Sequence, residues 1–161
     1  LKRDGILYQG FIFIGLIKVG TEAKVIEYNV RMGDPETEVV IPRIKSDLLN
    51  LLKGIGDGTF SEKDLNISDE AAATVMLVSE GYPEKYEKGF IINGLDKDCD
   101  SIFFHAGTIS RDEKIITNGG RVIAVTSFGK DIDEAINKSY KNINEISFKG
   151  KQFRNDIGFD L

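Results

Sequence analysis

Residues 27–36, near the start of the chain, contain the residue types that metal and phosphate chemistry uses. Glu27 and Asn29 are two positions apart on a predicted strand, so both side chains leave the same face. A carboxylate beside an amide oxygen is a hard-oxygen pair of the kind that Mg²⁺ binds, usually with waters and substrate phosphates completing the shell. Arg31 follows on the same face, and its guanidinium can hold a carboxylate or a phosphate in a fork.

The group Gly33-Asp34-Pro35 predicts a helix start, with Asp34 as the N-cap and Pro35 at the first helical position. The free N–H groups at a helix N-terminus favour an anion. On pattern alone, an ordinary solvated strand face with Asp34 as a simple cap is the commoner explanation. The spacing therefore leaves both interpretations open.

A second group, Asn118 to Arg121, joins two glycines to a guanidinium, a combination that can present backbone N–H groups and positive charge to a phosphate. Asn-Gly is also the strongest short hairpin signal, and spacing alone favours a plain hairpin turn. His105 has aromatic neighbours, which predicts a packed strand residue rather than a general base. Cys99 lies among acidic residues, which disfavours a reactive thiolate.

Composition excludes several classes of protein. The 161 residues contain 21 Lys and Arg against 26 Asp and Glu, a net charge of −5, whereas nucleic-acid binders normally carry a basic surplus. One cysteine and one histidine form neither an internal disulfide nor a structural zinc cluster, and indicate a reducing compartment, the cytoplasm. The apolar stretch 6–17 is interrupted and shorter than a membrane span, so we predict a buried strand and no membrane partner.

The order of the strands and helices around these residues predicts an α+β architecture in two parts. Strands are predicted over 5–19 and 24–32, followed by a helix that Pro42 kinks or splits and that glycines 54, 56 and 58 end. A polar connection, 59–70, places a boundary near Ile67, giving domains 1–67 and 68–161. The second part has predicted strands at 72–79, 89–95, 101–109 and 121–127, and one amphipathic helix over 131–146.

Several motifs extend the two groups along nearly the whole chain. They lie at residues 27–36, 42–48, 81–83, 86–89, 104–108, 117–122 and 156–158. In content and order they resemble the C-terminal portion of phosphoribosylamine–glycine ligases, which are ATP-grasp enzymes. The resemblance implies the C-terminal segment of an ATP-grasp domain, with antiparallel strands and a helix, followed by a small, mainly antiparallel β domain with one long helix.

The resemblance also implies a reaction. Enzymes of this family join glycine to 5-phosphoribosylamine in the second step of purine synthesis: ATP converts the glycine carboxylate to glycyl phosphate, which the amine then attacks. By the family's pattern, the metal ligands for Mg²⁺ (or Mn²⁺) on the nucleotide phosphates are Glu27 and Asn29. Arg31, as a catalytic and substrate-binding residue, borders the substrate pocket, together with Gly33, Asp34, Pro35, Gly119, Gly120 and Arg121.

In this family the nucleotide-gripping lysines, a glycine-rich loop and the N-terminal substrate domain precede the position of Leu1. The chain is therefore expected to be a fragment, inactive alone, whose partner is the missing N-terminal portion of the same enzyme. Two alternatives remain: a sibling ATP-grasp ligase for another acid and amine, and a free-standing binding module without catalysis. The Glu-x-Asn pair is shared across the superfamily, whereas residues 31–36 and 117–121 favour glycine and phosphoribosylamine.

Overall fold

The structure is a computed structural model that describes residues 1–159, and it divides into two compact units between Ser68 and Asp69. The predicted domain boundary near Ile67 lies next to this division. Residues 160 and 161, at the end of the predicted second domain, lie outside the described residues.

The first unit opens with an antiparallel hairpin of β1 (Phe13–Val19) and β2 (Glu22–Asn29). The predicted strand over 5–19 was too long, since the pairing starts only at Phe13, and the predicted strand over 24–32 ends early, at Asn29. The prediction of burial was also wrong: Ile17 is 51% exposed in β1 and Ile26 is 65% exposed in β2. The hairpin therefore presents apolar side chains on its surface.

Two short helices complete this unit, α1 (Thr37–Val40) and α2 (Leu48–Asp57). The predicted helix start was wrong, because α1 begins at Thr37 and its N-cap is Glu36, not Asp34. Pro42 does split the helical segment, since it lies in a 3₁₀ turn between α1 and α2. The Asp47 carboxylate caps α2 by accepting from the Asn50 N–H at 2.8 Å, and the helix ends at Gly58.

The second unit is built on a four-stranded antiparallel sheet in the order β4-β7-β3-β8. Its strands are β3 (Ala71–Ser79), β4 (Ser101–His105), β7 (Arg121–Gly129) and β8 (Lys151–Gln152). A separate hairpin joins β5 (Thr108–Arg111) to β6 (Lys114–Thr117). The helix α3 (Ile132–Ile143) packs on β3 and β7. The core between them contains Val75, Leu77, Val122, Ile123, Val125, Ile143 and Ile146.

This unit confirms the predicted α+β class, with three differences in its elements. Residues 89–95 form isolated bridges, such as Ile91 with Ile116, instead of a strand. The predicted strand 101–109 is divided into β4 and β5, and β6 was not predicted. The amphipathic helix was predicted correctly, except that its last regular residue is Ile143; its N-cap, Asp131, accepts from the Glu134 N–H at 2.9 Å.

Candidate functional site

The predicted metal pair lies at the end of β2, where the two side chains touch. Asn29 Nδ2 donates to Glu27 Oε1 at 3.1 Å. This hydrogen bond leaves the Asn29 carbonyl oxygen and the second Glu27 carboxylate oxygen as acceptors, and Glu27 is exposed. The donor set of one carboxylate and one amide oxygen on an accessible face fits a hard divalent cation that takes its other ligands from phosphate and water.

A β-bulge adjoins this pair. Gly15 pairs with Glu27 but Leu16 pairs with Val25, so Ile26 is the extra residue of β2. Bulges occur often beside functional sites because they turn a side chain away from the regular alternation. The strand opposite leaves room for the carboxylate: a Cβ on Gly15 would come 3.0 Å from Glu27 Cγ. The apolar positions of β2 change parity at this bulge, from Ala23 and Val25 to Ile26 and Tyr28, and the strand prediction overlooked this change.

The turn after β2 differs from the predicted helix end. Arg31 is exposed and its Nη1 donates to the Met32 carbonyl at 3.2 Å. The Gly33 carbonyl accepts from the Thr37 N–H at 3.0 Å and from Thr37 Oγ1 at 2.5 Å, which closes the turn. The Glu36 carboxylate occupies the space where a Gly33 side chain would be. An acidic group therefore lies beside Gly33, where an anion-binding helix end was expected.

The second predicted group lies in the other unit, where three motif segments that are distant in sequence meet. The Asn118 N–H donates to the Gly107 carbonyl at 2.7 Å, and the Gly107 N–H donates to the Arg121 carbonyl at 2.8 Å. Ser79, just before the Gly81 turn, donates from its hydroxyl to the Gly119 carbonyl at 2.9 Å. The structure thus brings together residues 79–83, 105–108 and 117–121. We name this junction the glycine cluster.

The glycine cluster orients the peptides of residues 119 and 120. The Ser79 N–H donates to the Gly120 carbonyl at 2.8 Å, so Ser79 binds two successive carbonyls. Because a trans peptide places its N–H opposite its C=O, the Gly120 N–H points away from Ser79. Within residues 1–159, the N–H groups of Gly119 and Gly120 donate no hydrogen bond. The plain-hairpin interpretation of this turn is wrong, since β6 pairs with β5 and not with β7.

The remaining candidates have ordinary surroundings. His105 is exposed and hydrogen-bonds through Nδ1 to Thr108 Oγ1 at 2.9 Å, so it is bonded as predicted but not packed. Cys99 is half-buried and donates weakly to the Ser101 carbonyl at 3.6 Å. Among the described residues, no helix is long and apolar enough to cross a membrane, and no three His, Cys, Asp or Glu side chains gather as a metal cluster.

Sequence reasoning missed the residues that tie the glycine cluster together. Ser79 and Gly107 had no assigned role, and Tyr82 was noted only as part of a motif. The signal was the group of glycine-containing motifs, because each glycine is needed where another chain segment comes close. A Cβ on Gly107 would stand 2.5 Å from both the Arg121 carbonyl oxygen and the Gly119 Cα. Residue spacing did not predict that these segments meet, because they are far apart along the chain.

Comparisons with known proteins agree on one family. The family described as phosphoribosylglycinamide synthetase, C domain, matches residues 72–160. The phosphoribosylamine–glycine ligase of Caldanaerobacter subterraneus is 40% identical over 98% of this chain, and the trifunctional purine biosynthetic protein adenosine-3 of Gallus gallus is 40% identical over 99%. The crystal structure of the phosphoribosylamine–glycine ligase from Thermotoga maritima matches 96% of this chain with a TM-score of 0.84 and 33% identity. The chain spans 38% of the Caldanaerobacter and Thermotoga proteins and 16% of the Gallus protein.

Proposed function

This chain belongs to the phosphoribosylamine–glycine ligase family, and from that premise we propose that it is the part of such a ligase that supplies the metal ligands and one wall of the phosphosugar pocket. The reaction of the intact enzyme is the ATP-dependent joining of glycine to 5-phosphoribosylamine. The γ-phosphoryl group of ATP passes to the glycine carboxylate, the amine attacks the resulting glycyl phosphate, and inorganic phosphate leaves. The remainder of the enzyme, which supplies the adenine pocket, lies outside this chain.

The observation that carries the proposal is the contact between Glu27 and Asn29 at the end of β2. Two hard-oxygen donors on one exposed strand face suit Mg²⁺ or Mn²⁺ bound to nucleotide phosphates. When bound, the ion would neutralise charge on the phosphoryl group and orient it for in-line transfer. The hydrogen bond shows that the two side chains are neighbours, and a rotation of the Asn29 amide would turn its oxygen toward an ion that Glu27 binds.

We assign the substrate roles to residues 31–35, which follow the pair along the chain, and to the glycine cluster of the second unit. Arg31 is exposed and carries a guanidinium suited to the glycine carboxylate or the acyl phosphate, with Gly33, Asp34 and Pro35 bordering that pocket. The glycine cluster suits the phosphate of phosphoribosylamine. The support is that the Gly119 and Gly120 N–H groups are not used within the described residues, and that the guanidinium of Arg121 belongs to the same segment. We place the enzyme in the cytoplasm, since a single unpaired cysteine suits a reducing compartment.

The test uses the intact protein that contains this chain. Purified enzyme is supplied with ATP, Mg²⁺, glycine and phosphoribosylamine, which forms in solution from ribose 5-phosphate and ammonia, and phosphate release is measured. We expect release to require all four, and glycinamide ribonucleotide to accumulate in equal amount. Turnover that does not depend on glycine, or that requires a different acid, would instead identify a sibling ATP-grasp ligase. No turnover with any acid and amine would favour a binding module.

A further inference from the structure

The ring of Tyr82 lies directly against the backbone of the glycine cluster. A side chain on Gly120 is impossible without moving this ring, because Tyr82 Cδ2 occupies the place of its Cβ. Tyr86 Cε1 stands 3.0 Å from the same point. The two rings pack on each other with centroids 6.2 Å apart and planes tilted by 58°. The glycine at position 120 therefore lets an aromatic ring approach a peptide whose N–H is not used.

The chain holds Tyr82 in this place from both sides. Its N–H donates to the Ser79 carbonyl at 3.1 Å, and the Glu84 N–H donates to the Gly81 carbonyl at 2.8 Å, which fixes the turn. Ser79 is the residue that also binds the carbonyls of Gly119 and Gly120. One residue thus anchors both the ring and the loop, so their relative position is set by the fold.

Tyr82 nevertheless keeps a surface and a polar group for a ligand. The residue is 37% exposed, and in the described chain its hydroxyl makes no hydrogen bond. Here an aromatic face, a free hydroxyl and adjacent peptide N–H donors occur together. A phosphorylated pentose matches this combination, since it has an anion for the N–H groups, C–H bonds for the ring and hydroxyls for the phenol.

We propose that Tyr82 is a specificity-determining residue for the phosphosugar substrate, with its ring forming the wall that the pentose rests on beside the Gly119–Gly120 loop. The assignment rests on the proposed function, because that function supplies a phosphopentose as a substrate. ATP also contains a ribose phosphate, so the same chemistry has two sources in the reaction. The two sources are distinguished by which KM changes when Tyr82 is replaced, that for phosphoribosylamine or that for ATP.

The experiment compares Tyr82→Ala, Tyr82→Leu and Tyr82→Phe in the intact ligase. For Tyr82→Ala we expect the KM for phosphoribosylamine to rise about tenfold, equivalent to about 1.4 kcal/mol of binding, with the KM values for ATP and glycine unchanged. Tyr82→Phe keeps the wall and loses the hydroxyl, so it should show a smaller rise. Phe159→Ala is the matched control, since Phe159 is an exposed aromatic residue of the same unit, outside the glycine cluster, and 77% exposed.

A direct titration separates this proposal from the proposed function. Binding of ribose 5-phosphate to the intact protein, followed by ³¹P NMR, should weaken about tenfold in Tyr82→Ala, while binding of inorganic phosphate changes less. If the protein had no ligase activity but bound ribose 5-phosphate in a Tyr82-dependent way, the proposed reaction would be refuted and the phosphosugar site at Tyr82 would be supported. Tyr82→Leu fills the space beside Gly120 but removes the flat aromatic face and the hydroxyl, so it should also weaken binding and serves if the alanine variant unfolds. Unchanged affinity for ribose 5-phosphate in a folded Tyr82→Leu or Tyr82→Ala protein, or a rise confined to the KM for ATP, would overturn the proposal.

Discussion

Gly107 is required at its position by contact distances. Its Cβ would lie 2.5 Å from the Arg121 carbonyl oxygen and from the Gly119 Cα, both of which are backbone atoms that cannot rotate aside. We therefore expect Gly107→Ala to destabilise the second unit by about 2 kcal/mol, the middle of the range for overpacked sites. Urea denaturation of the wild-type and variant chains measures the difference.

Gly56 supplies the contrasting substitution. It lies inside α2 and a Cβ there would meet nothing within 4 Å. Alanine has a higher helix propensity than glycine, so Gly56→Ala should stabilise its helix by about 0.5–1 kcal/mol. Equal effects of the two substitutions would show that the short distances around Gly107 do not constrain the cluster.

At the scale of elements, the turn between β5 and β6 places two ordinary residues in the left-handed region. Asp112 has φ 49° and Glu113 has φ 59°. Hairpin turns of this kind favour glycine at the second central position, because a side chain is strained there. We expect Glu113→Gly to stabilise the hairpin by about 1 kcal/mol, measured as a rise in the denaturation midpoint. Glu113→Ala is the matched control and should give little gain, since alanine keeps the strained Cβ.

The same turn shows what the sequence could and could not predict about elements. The helix α3 was predicted well because Asp131 caps it and its apolar stripe has a clear period. The turn signal at residues 111–113 was recognised, but the strand β6 after it was missed because its four residues show no period-two alternation. The Asn118-Gly119 signal marks a connection between strands that do not pair. The predicted helix start at Asp34 and Pro35 was wrong because the favourable N-cap pattern lies in a tight turn before α1.

The candidate sites likewise include features that the sequence predicted and features that it did not. The contact between Glu27 and Asn29 was predictable, because residues two apart on a strand share a face. The bulge beside them is marked by a change in the parity of the apolar positions, which the strand prediction overlooked. The glycine cluster was not predictable, since it depends on which distant segments meet. Residue spacing reports only on neighbours along the chain, and the glycine cluster is made from segments separated by tens of residues.

At the scale of the whole molecule, the two units differ in how much apolar surface they bury. Among the described residues, Leu51 is the only buried apolar side chain of the first unit, whereas the second unit contains a continuous core. Exposed apolar residues along β1 and β2 include Leu16, Ile17, Val25 and Ile26. Exposed apolar surface of this extent is typical of a region that another part of a protein or a partner covers.

Hydrogen exchange tests this difference. In this chain alone, amides of β3, β7 and α3 should exchange slowly, and those of β1 and β2 should exchange rapidly. Local opening requires less free energy where few apolar contacts are broken. In the intact protein, we expect the amides of β1 and β2 to become protected. Equal protection of both units in the isolated chain would show that the hairpin is stable without further cover.

The most direct test of the central claim, that Glu27 holds the metal ion of the ligase, is the rate of glycine-dependent ADP formation by the intact protein at varied Mg²⁺ concentration. For Glu27→Gln we predict a rate lower by about tenfold or more, a loss of about 1.4 kcal/mol, together with a higher Mg²⁺ requirement. Glu22→Gln, an exposed carboxylate of the same strand that pairs with Lys24, should leave both unchanged. An unchanged rate and an unchanged Mg²⁺ dependence in Glu27→Gln would contradict the account.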